Sequence, residues 1–127
     1  MLECVAFLLV RDGEVLAERR RLTKKLLPGI CAIPGGHLEA GEAPEAGLRR
    51  ELHEELGLNA REVQYVCSLL HRSEELRRLH YYAIETWSGA MENNEAEALL
   101  WIPLNRADEL NLDVDRTAVA EYVRLYG

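Results

Sequence analysis

Residues 36–58, GHLEAGEAPEAGLRRELHEELGL, decide how this chain folds. Pro44 lies near the start of a periodic apolar pattern, where the missing N–H of proline suits the first turn of a helix. Gly57 follows the last periodic residue, where glycine commonly caps the C-terminus of a helix. The segment therefore predicts a helix over 43–56 that is preceded by a glycine-rich turn.

The predicted helix has an apolar side and an acidic side. At about 100° per residue, side chains spaced by three or four positions lie on the same side of a helix. The apolar side carries Leu48, Leu52 and Leu56, and the acidic side carries Glu51, Glu54 and Glu55. Because the two sides are centred roughly 100° apart, the leucines can anchor the helix on a sheet while the acids face an open site.

The acidic side is either a solvated surface or a site for a hard divalent cation. Neighbouring carboxylates repel each other by about 4 kcal/mol per close pair near a protein surface, and Arg50 offsets only one charge. Mg²⁺ and Mn²⁺ prefer such oxygen ligands. Gly47 within the acidic arc costs about 1 kcal/mol relative to alanine, which predicts that another group approaches closely there. Gly35-Gly36 brings flexible backbone towards the acids. Both glycine positions favour the cation site.

The remaining segments predict an α/β fold. An apolar run, a tight Asp12-Gly13 turn and a second run indicate a hairpin near the N-terminus. Strands are predicted at 3–10, 14–19, 30–33, about 62–71, about 77–87 and about 98–103, and a second helix at 113–126 with Val114, Ala118, Tyr122 and Leu125 on one face. This order implies one domain over 1–127, an α/β sandwich with a mixed sheet between helical layers.

Composition restricts the ligands and the compartment. The 22 acidic and 15 basic residues give a formal net charge of −7, which disfavours binding to a nucleic-acid duplex. A phosphate ligand would therefore need a cation between itself and the protein. The cysteines, Cys4, Cys31 and Cys67, are odd in number and widely spaced, so we expect buried, unpaired thiols in a reducing compartment. With no signal-type or membrane-spanning run, we expect a cytoplasmic protein that does not contact membranes.

The segment 36–58 resembles the Nudix box, Gly-x5-Glu-x7-Arg-Glu-U-x-Glu-Glu-x-Gly-U, in which U is a bulky aliphatic residue. Every fixed position is filled, by Gly36, Glu42, Arg50, Glu51, Leu52, Glu54, Glu55, Gly57 and Leu58. The flanking sequences IPGGHLEAGE and EALLWIPL also resemble the family. The chain is thus identified as a member of the Nudix hydrolases, which implies a Nudix-type α/β/α sandwich and hydrolysis of a nucleoside diphosphate derivative.

The resemblance also implies roles for residues of the box. The expected ligands of Mg²⁺, or of Mn²⁺, are Glu51, Glu54, Glu55 and the backbone carbonyl of Gly36. The resemblance implies that Glu42 and Arg50 orient the helix and its loop, and that Arg50 contributes to catalysis with Glu51 and Glu54. The family supplies its general base from different places, so three alternatives stay open. These are Glu51 or Glu54 in the box, Glu95 or Glu97 before the late strand, and Glu74 or Glu75 after His71.

Substrate-binding residues outside the box are predicted from weaker signals. The only basic cluster consists of Arg19, Arg20, Arg21, Lys24 and Lys25, and it is either a phosphate-binding loop or an ordinary solvated one. Arg19 is the best single candidate for a substrate contact, together with Glu95 and Glu97. Tyr81, Tyr82 and Trp101 could stack on a base, although aromatic side chains in strands more often belong to the core.

The substrate is predicted largely by elimination. The proline that marks many ADP-ribose enzymes of this family is absent, since Ser73 and Glu74 occupy that region. The short chain and its IPGG segment resemble the MutT-like branch, which acts on nucleoside triphosphates. The alternatives are an ADP-ribose or nucleotide-sugar pyrophosphatase, a non-catalytic nucleotide-binding module and, least favoured, an isoprenoid diphosphate isomerase. Since many relatives are dimers, a homodimer is a further expectation.

Overall fold

The structure is a computed structural model that describes residues 1–127. Its strands are β1 (Leu2–Arg11), β2 (Glu14–Arg19), β3 (Cys31–Ala32), β4 (Gly35–His37), β5 (Asn59–Ala60), β6 (Gln64–Arg72), β7 (Leu76–Ile84), β8 (Trp87–Ser88) and β9 (Ala98–Pro103). Its helices are α1 (Pro44–Leu56), a 3₁₀ helix (Leu104–Glu109) and α2 (Asp113–Tyr126). The predicted order of strands and helices is therefore confirmed.

Seven strands form one mixed sheet. Its central order is β3-β2-β1-β7-β6, with β4 paired to β1 and β9 paired to β2. Strand β1 runs parallel to β7, and the other pairs in this sheet are antiparallel. Strands β5 and β8 form a separate antiparallel pair. The predicted mixed sheet is confirmed, and the parallel β1–β7 pair requires the long crossover that contains α1.

The two faces of the sheet bury two separate cores. Successive side chains of a strand point to opposite faces, and in β1 the residues Val5, Phe7 and Leu9 join the leucines of α1. The residues between them face the other way and join a larger cluster of 18 buried residues, which includes the inner face of α2. The sheet is therefore covered by one helix on each face, as in an α/β/α sandwich.

Helix α1 begins and ends within one residue of the prediction. Pro44 lies in its first turn, and Ala43 before it offers no side-chain cap. Gly57 adopts a left-handed conformation with φ 68°, and its N–H donates to the carbonyl oxygen of His53 at 2.9 Å. A residue with a Cβ would be strained at that φ, so glycine fixes where the helix stops.

Several short elements escaped the sequence analysis. The strand predicted over 30–33 was expected to end at Pro34-Gly35-Gly36. Instead, Gly35–His37 forms a further short strand, β4, which pairs with β1. A Cβ at Gly35 would overlap the carbonyl oxygen of Val5, so the glycine permits this close pairing. Strands β5 and β8 and the 3₁₀ helix are likewise too short to show a periodic pattern, and they depend on partners distant in sequence.

One prediction of burial is wrong, and one side chain on the predicted face of α2 is not buried. Val114, Ala118 and Tyr122 of that face are buried, whereas Leu125 is 44% exposed, because the last turn of α2 extends beyond the core. Cys67 is only partly buried, since it lies on β6 at the edge of the sheet order. The other two cysteines are buried as predicted, and all three are unpaired. Neither α-helix combines the length and apolar composition that crossing a bilayer demands.

Candidate active site

An open cleft of about 300 Å³ lies beside α1, strand β4 and the loop that follows β2. It is lined by Glu18, Arg20, Lys24, Gly35, Gly36, His37, Glu51, Glu54, Glu55 and Glu95. We call this the acidic cleft, because five glutamates face it and only one arginine and one lysine oppose them. No apolar side chain lines it, so the cleft suits ions and phosphate groups and not a hydrophobic ligand.

Helix α1 presents its acids to the cleft in the predicted way. Its three leucines are buried, which fixes the rotation of the helix about its axis. The acids differ in exposure to solvent, since the side chain of Glu51 is 14% exposed and that of Glu54 is 57% exposed. All three box acids line the same cleft.

The guanidinium of Arg50 connects the helix to the loop before it. It donates to both carboxylate oxygens of Glu42, from Nε at 2.8 Å and from Nη2 at 2.9 Å. Nη2 also donates to the carbonyl of His37 at 3.1 Å, and Nη1 donates to Glu51 at 2.9 Å and to Glu54 at 3.2 Å. Such bidentate, charge-assisted pairs fix orientation as well as adding free energy.

Glu42 is held as a carboxylate. The hydrogen bonds from Arg50 and then from the backbone N–H of Glu39, the latter at 2.9 Å, lower its pKa to about 2. Arg50 therefore keeps an ionised partner at any pH at which the protein works. This pair joins the loop to α1 next to the acids.

Two glycines admit side chains at close range. A Cβ at Gly36 would overlap the carboxylate of Glu51, so only glycine lets this acid lie against the backbone of β4. A Cβ at Gly47 would overlap a methyl of Leu38 and would lie 2.8 Å from Oε1 of Glu42. The prediction that something approaches Gly47 closely is confirmed, and the approaching group is the loop itself.

Glu55 is an unsatisfied acid. Its Oε2 is buried and has no hydrogen-bond partner. Burial, and after it the negative charge of Glu18, raise the pKa of Glu55 to about 9. Burial also raises the pKa of Glu51, against the opposing effect of Arg50. Because an unpaired buried polar group is costly, this oxygen requires an explanation, and binding of a cation would provide one.

Strand alternation places Arg20 in the cleft and leaves Arg19 out of it. Leu16 belongs to the core under α1, so Glu18 and Arg20, two and four residues later, point to the same side. Arg19 points away, is exposed, and donates from Nη1 to the carbonyl of Gly29 at 3.2 Å. Glu18 was not predicted as a site residue, and Arg19 was preferred to Arg20, although the alternation of side chains in β2 distinguishes them.

Of the other acids predicted as alternative general bases, only one lines the acidic cleft. Glu95 lines the cleft and forms an ion pair there with Lys24. Glu97, two residues later, lines a neighbouring surface pocket with Arg19, and its backbone N–H donates to the carbonyl of Arg19 at 2.9 Å. Glu74 and Glu75 are exposed in the turn between β6 and β7 and do not line the cleft.

None of the aromatic candidates lines the cleft. Tyr81 is fully buried in the core under α2, where its hydroxyl donates to Asp115 at 2.6 Å. Tyr82 is half-buried and packs edge-on against another tyrosine. Trp101 is stacked on Trp87 with ring centroids 6.5 Å apart. These side chains contribute to packing, which is the more common role of strand aromatics.

The mixed-sheet α/β/α sandwich and the acid-bearing helix beside an open polar cleft agree with the family that the box resembles. Residues 2–123 match the family described as the NUDIX domain. The chain therefore belongs to the Nudix hydrolase family, as the box predicted.

Relatives agree with this assignment over most of the chain. The CTP pyrophosphohydrolase of Escherichia coli (strain K12) is 35% identical over 104 residues, 80% of this chain and 75% of that protein. The 8-oxo-dGTP diphosphatase of the same strain is 31% identical over 86 residues, 67% of each chain. The solution structure of the E. coli ORF135 protein matches with a TM-score of 0.82 at 29% identity, covering 98% of this chain and 90% of that one.

Proposed function

We propose that this protein hydrolyses a diphosphate linkage in a nucleoside triphosphate, as a Mg²⁺-dependent pyrophosphohydrolase of the MutT-like type. The observation that carries the proposal is the acidic cleft, in which the three box acids meet a glycine turn and one carboxylate oxygen of Glu55 is buried without a partner. The acids alone would repel a polyphosphate. Together with a divalent cation they would attract one.

The donor set fits a hard divalent cation. The proposed ligands are Glu51, Glu54, Glu55 and the carbonyl oxygen of Gly36, and Mn²⁺ would be accepted in place of Mg²⁺. Two observations support the fit, namely the unpartnered Oε2 of Glu55 and the close approach of the Glu51 carboxylate to Gly36, which a Cβ at that position would prevent. When bound, such a cation lowers the pKa of a coordinated water and neutralises charge on the diphosphate.

The acids do not converge on one point in this structure. No three acidic, histidine or cysteine side chains are grouped closely enough to hold an ion. Arg50 instead holds a carboxylate oxygen each of Glu51 and Glu54, so a positive charge already stands beside both. The carboxylate of Glu51 already lies against Gly36. Cation binding would therefore require Glu54 to turn from Arg50 towards Glu51, while Arg50 stays fixed on Glu42.

Other residues would orient helix α1 and contact the substrate phosphates. Glu42 and Arg50 would orient α1 and its loop through their paired hydrogen bonds. Arg20 and Lys24, the two basic side chains of the cleft, would contact substrate phosphates. Lys24 is paired with Glu95, so a phosphate bound to Lys24 would compete with that glutamate.

The general base would come from the box. Glu51 and Glu54 both face the cleft, and Glu54 is the more exposed to solvent. Glu95 is retained as the alternative, because it also lines the cleft. Nothing favours Glu97, Glu74 or Glu75, which do not line the cleft.

The substrate class rests on the relatives and on charge. Two relatives are described by their action on CTP and on 8-oxo-dGTP, and both compounds are nucleoside triphosphates. We also propose that residues 1–127 form one catalytic domain, since the family match spans residues 2–123. The three free cysteines are consistent with a reducing, cytoplasmic location. A homodimer remains a proposal that light scattering would test.

A substrate panel tests the proposed function. Purified protein with Mg²⁺ would be given common and oxidised nucleoside triphosphates, ADP-ribose, a dinucleoside polyphosphate and a nucleotide sugar, and the phosphate products would be separated. We expect diphosphate and a nucleoside monophosphate from a triphosphate, with no turnover in excess EDTA. Turnover only of ADP-ribose or a nucleotide sugar would refute the substrate class. Nucleotide binding without any turnover would indicate a binding module.

A further inference from the structure

We infer that Glu18, which lies outside the box, is an additional carboxylate ligand of a divalent cation and shares that cation with Glu55 across the acidic cleft. The inference rests on the proposed function, because it assumes that the cleft binds a cation. It goes further by assigning a ligand to the sheet as well as to α1.

Glu18 occupies an unusual position for a charged residue. It lies in β2 between Ala32 of β3 and Leu99 of β9, so strands flank it on both sides. Its side chain is only 8% exposed, and it lines the acidic cleft. Charged side chains are rarely this buried without a paired group, so the local environment of its carboxylate is informative.

The carboxylate of Glu18 is not satisfied by the protein. No hydrogen bond reaches it, and the nearest cation, Nη1 of Arg20, lies 3.8 Å from its Oε1. That distance is beyond hydrogen-bonding range. Nε and Nη2 of Arg20 are both bound to the carbonyl oxygen of Leu26, at 3.2 and 3.0 Å. Arg20 therefore supplies a weak ion pair and leaves Glu18 without a donor.

Glu55, on helix α1, has a similar deficiency. Its buried Oε2 has no partner, and its side chain faces the same cleft from α1. Two carboxylates, one from a strand and one from a helix, thus share one cleft without a shared donor. A divalent cation would satisfy both acids at once, and oxygen atoms are the ligands that Mg²⁺ and Mn²⁺ prefer.

The same fold shows what a structural buried acid looks like. Asp115 is 2% exposed on the other side of the sheet, and both of its oxygens accept hydrogen bonds. One comes from the hydroxyl of Tyr81 at 2.6 Å and the other from the N–H of Ile33 at 3.0 Å. Glu18 has neither kind of donor. The contrast indicates that Glu18 is retained for a ligand and not for packing.

The test uses Glu18→Gln, with Glu14→Gln as the matched control. Glu14 lies on the same strand, is partly buried and does not line the cleft. Mn²⁺ binding to the full chain would be measured by electron paramagnetic resonance, and melting temperatures would be recorded with and without Mn²⁺. We expect Glu18→Gln to bind Mn²⁺ at least about tenfold more weakly, a loss typical even of groups that only support metal ligands. Glu14→Gln should bind it as the wild type does.

The melting temperatures separate a ligand from a structural residue. Without Mn²⁺, Glu18→Gln should melt no lower than the wild type, because it removes a buried charge that has no donor. Its stabilisation by added Mn²⁺ should be smaller than that of the wild type. A lower melting temperature of the Mn²⁺-free variant would indicate a structural role and overturn the inference.

The remaining outcomes are also decisive. If Glu18→Gln binds Mn²⁺ within twofold of the wild type, the inference fails and the proposed function stands. If the wild type itself binds no Mn²⁺, with or without a nucleotide, both fail. Glu18→Asp keeps the charge but withdraws the carboxylate by one methylene, so its Mn²⁺ affinity should lie between those of Gln and Glu at this position. An affinity of Glu18→Asp equal to that of the wild type would contradict direct ligation.

Discussion

Buried acids on the two faces of the sheet differ in the hydrogen-bond donors that surround them. Under α2, a cluster of 18 buried residues encloses Asp115, whose two oxygens are both hydrogen-bonded. Under α1, the sheet carries a smaller cluster of nine buried residues and the acidic cleft. There Oε2 of Glu55 has no partner, and Glu18 has only the loose ion pair with Arg20. The protein satisfies the buried carboxylate on one face of the sheet with its own hydrogen-bond donors, and on the other face it does not.

The comparison teaches where stability and function reside. A buried charge without a partner destabilises a fold, so a protein can carry such groups only where other packing offsets the cost. The larger core under α2 provides that packing. We therefore expect substitutions in the cleft to reduce activity while leaving the fold intact, and substitutions around Asp115 to change stability.

The largest effect is expected from Glu51→Gln, which tests the functional face. It removes a proposed metal ligand while keeping the size of a side chain that Gly36 accommodates. Since a bound metal contributes several kcal/mol to transition-state stabilisation, kcat/KM should fall by about a thousandfold or more. Circular dichroism should show a folded protein. Glu45→Gln is the control on the same helix, because Glu45 is paired with Arg49 away from the cleft. Near-wild-type turnover of Glu51→Gln would remove Glu51 from the mechanism.

Asp115→Asn tests the structural face through the pH dependence of unfolding. Burial raises the pKa of Asp115 to about 6 from an ordinary value of 3.8, against the hydrogen bonds that lower it. As the pH rises from about 4 to about 6, the unfolded chain loses this proton first. The contribution of Asp115 to the free energy of unfolding should then fall by up to about 3 kcal/mol and stay constant above that range.

The measurement for Asp115→Asn is urea unfolding at pH 4, 5, 6 and 7. Asparagine does not titrate, and its amide oxygen can still accept the N–H of Ile33. The difference in unfolding free energy between wild type and variant should therefore shift in favour of the variant as the pH rises. Parallel pH profiles for the two proteins would show that Asp115 does not titrate in this range.

Arg50→Lys is expected to have a smaller effect, because it keeps a positive charge and loses only the fork geometry. Lysine cannot donate to both oxygens of Glu42 at once as Arg50 does. The helix and its loop would then be less well aligned, and we expect kcat to fall by about ten- to a hundredfold. Steady-state kinetics would measure the change. An unchanged kcat would show that charge at position 50 suffices.

The smallest effects are expected at Arg19, the last residue of β2, and Arg20, which follows it. Arg20 faces the cleft and Arg19 does not, so Arg20→Ala should raise KM by about tenfold, as expected for loss of one charge-assisted contact. Arg19→Ala should change KM by less than about twofold and stability by at most about 0.5 kcal/mol. A larger KM for Arg19→Ala than for Arg20→Ala would show that Arg19, and not Arg20, faces the cleft when substrate binds.

The sequence predicted features that depend on local periodicity. The bounds of α1, its leucine and glutamate sides and the early hairpin all follow from residues close together in the chain. The mixed sheet was predicted from the order of strands and helices along the chain. Arg50 and Glu42, eight residues apart, could be paired only through the box resemblance, and the structure shows their hydrogen bonds.

Features that depend on distant partners were not predicted. The role of Glu18 was missed because it ends an apolar run and begins a basic one, so its burial became visible only with β3 and β9 on either side. The pair of Tyr81 and Asp115 joins residues 34 positions apart, and no motif marks either one. Strand β4 was missed because a Pro-Gly-Gly sequence normally ends a strand.

The most direct test of the account is the position of a metal ion in crystals grown with Mn²⁺. Anomalous scattering at the manganese edge would locate the ion without reference to activity. The account predicts a peak in the acidic cleft, bounded by the carbonyl oxygen of Gly36 and the carboxylates of Glu51 and Glu55. A peak elsewhere on the protein, or no peak in crystals that also contain a nucleotide, would contradict it.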